Sequence, residues 1–212
     1  MKTNRVPSLK ARLAFPLTAV LAWTIAFAAA AETVRYEGQP SASKCKMEGD
    51  STMHEWNMVS IMVTGFMEVD PKFPEVGPAD ATATKPVAQV TIPVRSFKSG
   101  TAAMDSRMQS HMKITQFPKM EYRLIELKPK SPAATTGAVK FDAVGAFTIV
   151  GKTITNTMPV TIEKKDGNLR VVGNTPLKMS SFGLEPYTFL GVVSTKDDLK
   201  ITFDWALAPK AK

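Results

Sequence analysis

Between Leu199 and Leu207 the chain alternates without a fault. Leu199, Ile201, Phe203, Trp205 and Leu207 are separated by Lys200, Thr202, Asp204 and Ala206. A strand sends successive side chains to opposite faces, so a period of two specifies a strand with one face in a core and the other in water. The same signature recurs along the chain. Ser43, Cys45 and Met47 alternate with lysines and Glu48; Ala88, Val90, Ile92 and Val94 form a second face; Phe141, Ala143, Gly145, Phe147 and Ile149 a third; Ile154, Met158, Val160 and Ile162 a fourth. Trp56 to Val69 is strand-compatible throughout, with Trp56, Met58, Met62 and Phe66 on one face and Val59, Ile61, Val63 and Met67 on the other. Gly65 marks a bend there, and Pro93 an edge or bulge position. Gly49 to Trp56 reads as a polar connection, Gly151-Lys152 and Lys165-Asp166-Gly167-Asn168 as hairpin turns, and Leu169–Val172 and Pro176–Met179 as short strands. Two Pro/Ala/Thr-rich stretches, Pro71 to Pro86 and Lys128 to Gly137, read as long loops, and Phe182 to Thr195 as a long connection. About eight strands follow from these patterns, and consecutive antiparallel strands remove their exposed edges by closing into a barrel.

One stretch breaks the period. Met104, Met108 and Met112 recur every fourth residue, which places them on one face of an amphipathic helix over Thr101 to Lys113. Ser99 or Thr101 can cap its start, and Pro118 stops it from continuing. The following residues, Lys119 to Leu124, return to strand alternation. A helix of this length closes one end of a small barrel. Methionine is unbranched and polarizable, so it serves equally as core packing and as a compliant wall for a flexible apolar ligand. The chain holds 12 methionines against 3 tryptophans and 3 tyrosines, an excess that favours the compliant wall.

The N-terminus carries an address. Lys2, Arg5, Lys10 and Arg12 precede an apolar run from Leu13 to Ala31 that ends in three alanines. This predicts a signal peptide over residues 1–31, cleaved after Ala31, and an exported domain over 32–212. An uncleaved membrane anchor is the rival reading. Loss of those four cations halves the formal charge of +8. Export, together with the lack of a basic cluster interleaved with aromatics, argues against nucleic acid as a partner, whereas a mild attraction to anionic membrane surfaces stays open. Cys45 is the sole cysteine, so no internal disulfide forms; it reads as a small buried hydrophobe, with an intermolecular bridge as the alternative.

Catalytic signatures are missing. The two histidines, His54 and His111, stand at no metal-ligand spacing with each other or with Asp50, Glu55 or Cys45. Ser41-Ala42-Ser43-Lys44 has an SxxK form without its partner motifs, and Gly151-Lys152-Thr153 lacks both the upstream glycine and the helix of a phosphate loop. The sequence therefore reads as a non-enzyme with no cofactor.

Four motifs in order resemble the YceI-like family of exported, lipocalin-like barrels. They are Gly49-Asp50-Ser51-Thr52-Met53-His54-Glu55-Trp56; His111-Met112-Lys113 with Gln116 to Tyr122; Gly145 to Thr153; and Leu177 to Leu184. The first has a G-x-S-T-x-H-x-W form that looks like a sub-branch of the family. The resemblance implies an all-β, antiparallel eight-stranded barrel with one short amphipathic helix near its mouth. It also implies a bound isoprenoid lipid, of quinone or polyprenyl type, in the interior. The apolar lining expected for it is Trp56, Met58, Met62, Phe66, Met104, Met108, Met112, Phe117, Met120, Tyr122, Phe141, Phe147 and Phe182, and His54, Arg95, Arg123 or Ser180 are candidates to meet a head group. A filled barrel that docks on a membrane redox protein, a metal or enzyme site using His54, and a homodimer are the alternatives.

Overall fold

The computed structural model describes residues 32–75, 84–130 and 137–211. The expected leader and its cleavage point lie outside the described residues, as do parts of the two Pro/Ala/Thr-rich loops. Residues Ala31–Lys212 form a compact unit of their own. In chain order the strands are β1 (Val34–Gly38), β2 (Lys44–Ser51), β3 (Glu55–Ser60), β4 (Thr64–Val69), β5 (Val87–Pro93), β6 (Lys119–Pro129), β7 (Val139–Ile149), β8 (Lys152–Lys165), β9 (Asn168–Lys178), β10 (Thr188–Phe189) and β11 (Val193–Pro209), with one helix, α1 (Ala102–His111), between β5 and β6.

The sheet closes as expected into an eight-stranded antiparallel barrel. The ring runs β1-β4-β5-β6-β7-β8-β9-β11, and β11 returns to β1 through Tyr36↔Pro209 and Gly38↔Leu207. β11 is long enough to serve two neighbours on one edge. Its end pairs with β1, and its middle, from Asp204 back to Thr195, pairs with β2. A single 3-10 turn at Pro40–Ala42 separates β1 from β2, and β3 adds to β2. Beyond β3, an isolated bridge from Val59 to Lys98 ties the wall to the segment that leads into α1.

Local chemistry sets the turns. Asp166 and Gly167 both take positive φ, 50° and 79°, the geometry of a two-residue hairpin. Val150 and Gly151 do the same at 48° and 73°. Three readings are corrected. Gly49 to Trp56 is mostly strand, with only Ser51 to His54 turning. Leu169 to Met179 is not two strands: β9 runs through, with Leu169, Val171, Gly173, Thr175 and Leu177 buried in strict alternation. Pro93 is the last residue of β5, an interior strand, and a 3-10 turn follows it.

One end of the barrel is plugged. Phe73 and Phe141 stack at 5.8 Å, and Val69, Leu169 and Leu207 pack around them at 1% exposure each. Each such side chain contributes ~1.5–3 kcal/mol by leaving water. α1 stands at the other end, with Met104, Met108 and His111 on its rim.

Candidate functional site

Above the plug the barrel is hollow. An inner chamber of about 100 Å³ is walled by Cys45, Val63, Met67, Ala88, Val90, Tyr122, Leu124, Ala143, Phe147, Met158, Val160, Ile162, Ile201 and Trp205, among others, and its surface is wholly apolar. It shares Cys45, Val90, Ile92, Tyr122, Phe147 and Ile201 with a middle chamber that adds Met47, Met120, Ile149, Leu177, Phe182 and others. The middle chamber in turn shares Met47, Met112, Met179, Leu184 and Leu199 with a mouth of about 280 Å³. Shared walls set the three end to end, as the segments of a channel along the barrel. Thr195 lines its mouth and Trp205 its inner end. Ten residues of tilted strand separate them, an axial depth of roughly 25 Å.

The expected lining residues divide. Met104, Met108 and Met112 all face the mouth, beside Trp56 and Met58. Met120, Tyr122, Phe147 and Phe182 wall the deeper chambers. Four lie elsewhere. Phe141 is fully buried in the plug, on the ring of Phe73. Phe117 covers the β7–β8 turn, its ring so close that a Cβ on Gly151 would sit 2.6 Å from it. Met62 is 46% exposed on the outside, and Phe66 lies under the Arg35 guanidinium, 3.6 Å from its ring centroid. Met62 and Phe66 are displaced because the expected single strand is two. The Met62 N–H donates to Ser60 Oγ in the break between the two strands, and the inward phase passes from even residues in β3 to odd residues in β4. Val63, Met67 and Val69 then point inward.

The helix is held differently from the capping expected of it. Neither the Ser99 nor the Thr101 hydroxyl caps it. The Asp105 carboxylate reaches back and accepts from both the N–H and the hydroxyl of Ser99, each at 2.8 Å, with Lys98 Nζ at 3.5 Å. These bonds, the backbone one foremost, hold the Asp105 carboxyl below its ordinary range.

Polar groups are few and unevenly placed. The mouth carries His54, Arg107, His111, Tyr187, Ser51 and Thr195, and no carboxylate lines it. His111 meets Tyr187 edge-on at 5.9 Å. Arg95 and Arg123 are exposed away from the channel, and Ser180 is engaged by Asp197, so of the head-group candidates only His54 lines the mouth. Deeper, Tyr122 lies over Gly145, where a Cβ would fall 2.1 Å from the ring, and tilts against Phe147 at 4.9 Å. Its hydroxyl and the Trp205 indole N–H are buried with no hydrogen-bond partner. Burial raises the Tyr122 phenol and pushes the Cys45 thiol up to about 12. Cys45 is 2% exposed, which withholds it from an intermolecular bridge. Among the described residues no three His, Cys, Asp or Glu side chains gather in a metal-sized cluster.

The sequence of residues 36–207 matches the YceI-like domain. The chain belongs to the YceI-like domain family. Solved structures share the fold of this YceI-like protein. Burkholderia cenocepacia BcnA is 21% identical, with a TM-score of 0.64 over 80% of this chain and 98% of its own. A polyisoprenoid binding domain from Saccharophagus degradans, implicated in plant cell wall breakdown, is 12% identical, with a TM-score of 0.63 over 84% of this chain and 99% of its own. The Campylobacter jejuni YCEI protein is 18% identical, with a TM-score of 0.51 over 71% of this chain and 82% of its own. At these identities the likeness is one of fold. No curated protein sequence matches the chain.

Proposed function

We propose that this YceI-like protein is a non-catalytic carrier that holds a long isoprenoid lipid, of quinone or polyprenyl type, with its tail in the barrel. The observation that carries this reading is the channel itself: apolar, plugged at one end and open at a methionine-lined mouth. Such a cavity suits a long thin tail better than a compact solute, because every methylene drawn in gains about 0.8 kcal/mol. Few polar groups are needed to hold it. The polyisoprenoid binding of the Saccharophagus degradans relative supports the ligand class. The leader-like residues 1–31 support export to the periplasm with cleavage after Ala31.

Native mass spectrometry of the protein taken from its host tests the reading. An apolar small molecule is expected to co-purify, and added isoprenoid to raise the melting temperature. Failure of both overturns it. Met108 is half-buried at the mouth, so Met108→Asp is expected to abolish lipid uptake while leaving the circular dichroism of the barrel unchanged.

A further inference from the structure

Large apolar side chains that stand in water are scattered over most of this barrel, but the three most exposed of those described stand together at the mouth. Leu190 is 81% exposed, Val192 78% and Met53 71%. Leu190 and Val192 belong to the β10–β11 hairpin, whose tip turns through positive φ at Leu190 and Gly191. Met53 belongs to the β2–β3 turn. Hydrogen bonds clamp the two turns side by side: the Thr52 N–H donates to Ser194 O at 2.9 Å, and the Ser194 N–H to Thr52 Oγ1 at 3.2 Å.

Neither turn needs these side chains for its own packing, since exposure of this degree leaves them almost no contact with the protein. Both turns do supply the mouth: Ser51 and His54 from one, Tyr187, Val193 and Thr195 from the other. The apolar tip is thus continuous with the channel lining. His54, Arg107 and His111 line the mouth and no acid does. The nearby Asp50 is neutralised by Lys196.

We propose that these two turns dock onto the surface of a lipid bilayer, with Met53, Leu190 and Val192 inserted among the acyl chains and the hydrogen-bonding side chains of the mouth, Arg107 and the two histidines, at the level of the phosphate head groups. The inference rests on the carrier reading for its purpose. An apolar tail would then move between bilayer and channel without crossing water, which is the costly step of any soluble route. Three side chains give weak, reversible attachment, suited to a carrier that must leave again.

Vesicle flotation tests this on residues 32–212, whose strand pairings are all internal to that unit. The vesicles contain phosphatidylethanolamine and phosphatidylglycerol in equal parts. The unaltered protein is expected to float, Leu190→Asp with Val192→Asp to reduce flotation by roughly tenfold or more, and Leu190→Trp to increase it, with a blue shift in emission. Transfer of ubiquinone from loaded vesicles is expected to slow in the double variant, while uptake of ubiquinone diluted from ethanol stays unchanged. No flotation of the unaltered protein, or equal flotation of the double variant, overturns the proposal. So does a dimer of the unaltered protein that the double variant splits, because the tip then covers a second copy. If neither protein takes up ubiquinone from solution, the carrier reading fails, and flotation still decides the docking surface.

Discussion

Tyr122 carries a hydroxyl that its position leaves unused. The ring fills the space over Gly145 and leans on Phe147, work that phenylalanine does equally well. A buried hydroxyl without a partner costs about 1–3 kcal/mol. Tyr122→Phe is therefore expected to leave the unliganded protein as stable or to gain up to about 1 kcal/mol, read from urea denaturation. A loss above that size would mean that the hydroxyl has a structural partner. Cys45 offers a second test at this scale. Its thiol faces the inner chamber and is held protonated to about pH 12 by burial. A thiol reagent at pH 8 is expected to label it only after unfolding. The sign of the pH dependence follows. Above the ordinary thiol range the unfolded chain loses this proton and the folded one keeps it, so stability falls as pH rises from that range towards about 12. The fall is expected in the difference between the original protein and Cys45→Ala, measured by denaturation across alkaline pH.

At the scale of elements, the strands were legible wherever one face alternates against water. β7, β8 and β11 follow from their residues alone, and the hairpin at Asp166-Gly167 from its dipeptide. Two things were hidden, for different physical reasons. β9 alternates more strictly in burial than β11 does, but its inward set includes Gly173 and Thr175, which carry no apolar signal, and Thr175 is satisfied by the Asn156 amide at 2.8 Å. The phase change between β3 and β4 falls beside a hydroxyl, Ser60 Oγ, which also bonds Ser96 Oγ at 2.7 Å, and no glycine or proline marks it. The methionine face of α1 was legible because a spacing of four survives any packing. Its anchor was not, because Asp105 reads as an ordinary outward charge. Asp105→Ala is expected to cost about 1–3 kcal/mol, since it leaves the Ser99 N–H without its acceptor. The contribution of a carboxylate held below its ordinary range is full above that range and lost as pH falls through the lowered value. The difference in stability between the original protein and Asp105→Asn is thus expected to shrink below pH of about 4. A gap independent of pH would place the effect elsewhere.

At the scale of the whole molecule, plug and channel divide the barrel's interior between stability and capacity. Phe73 and Phe141 close the base, so the channel has a fixed floor, and tail length becomes the quantity it can measure. Ala143 tests this. It faces the inner chamber from β7 at 3% exposure, just above Phe141 on the same face. Space between atoms already exists beside it, so Ala143→Phe is expected to fill the chamber with little change in the stability of the unliganded protein. A tail long enough to reach the floor then loses the depth that the new ring occupies. Displacing two methylenes costs roughly 1.6 kcal/mol, more than tenfold in Kd. A tail that ends in the middle chamber loses nothing. Affinities for a series of isoprenoids sharing one head group are therefore expected to climb with length in the original protein and to level off earlier in Ala143→Phe. Equal weakening at every length would show that the inner chamber acts on the head of the ligand or on the fold. No weakening at any length would show that tails stop at the methionines.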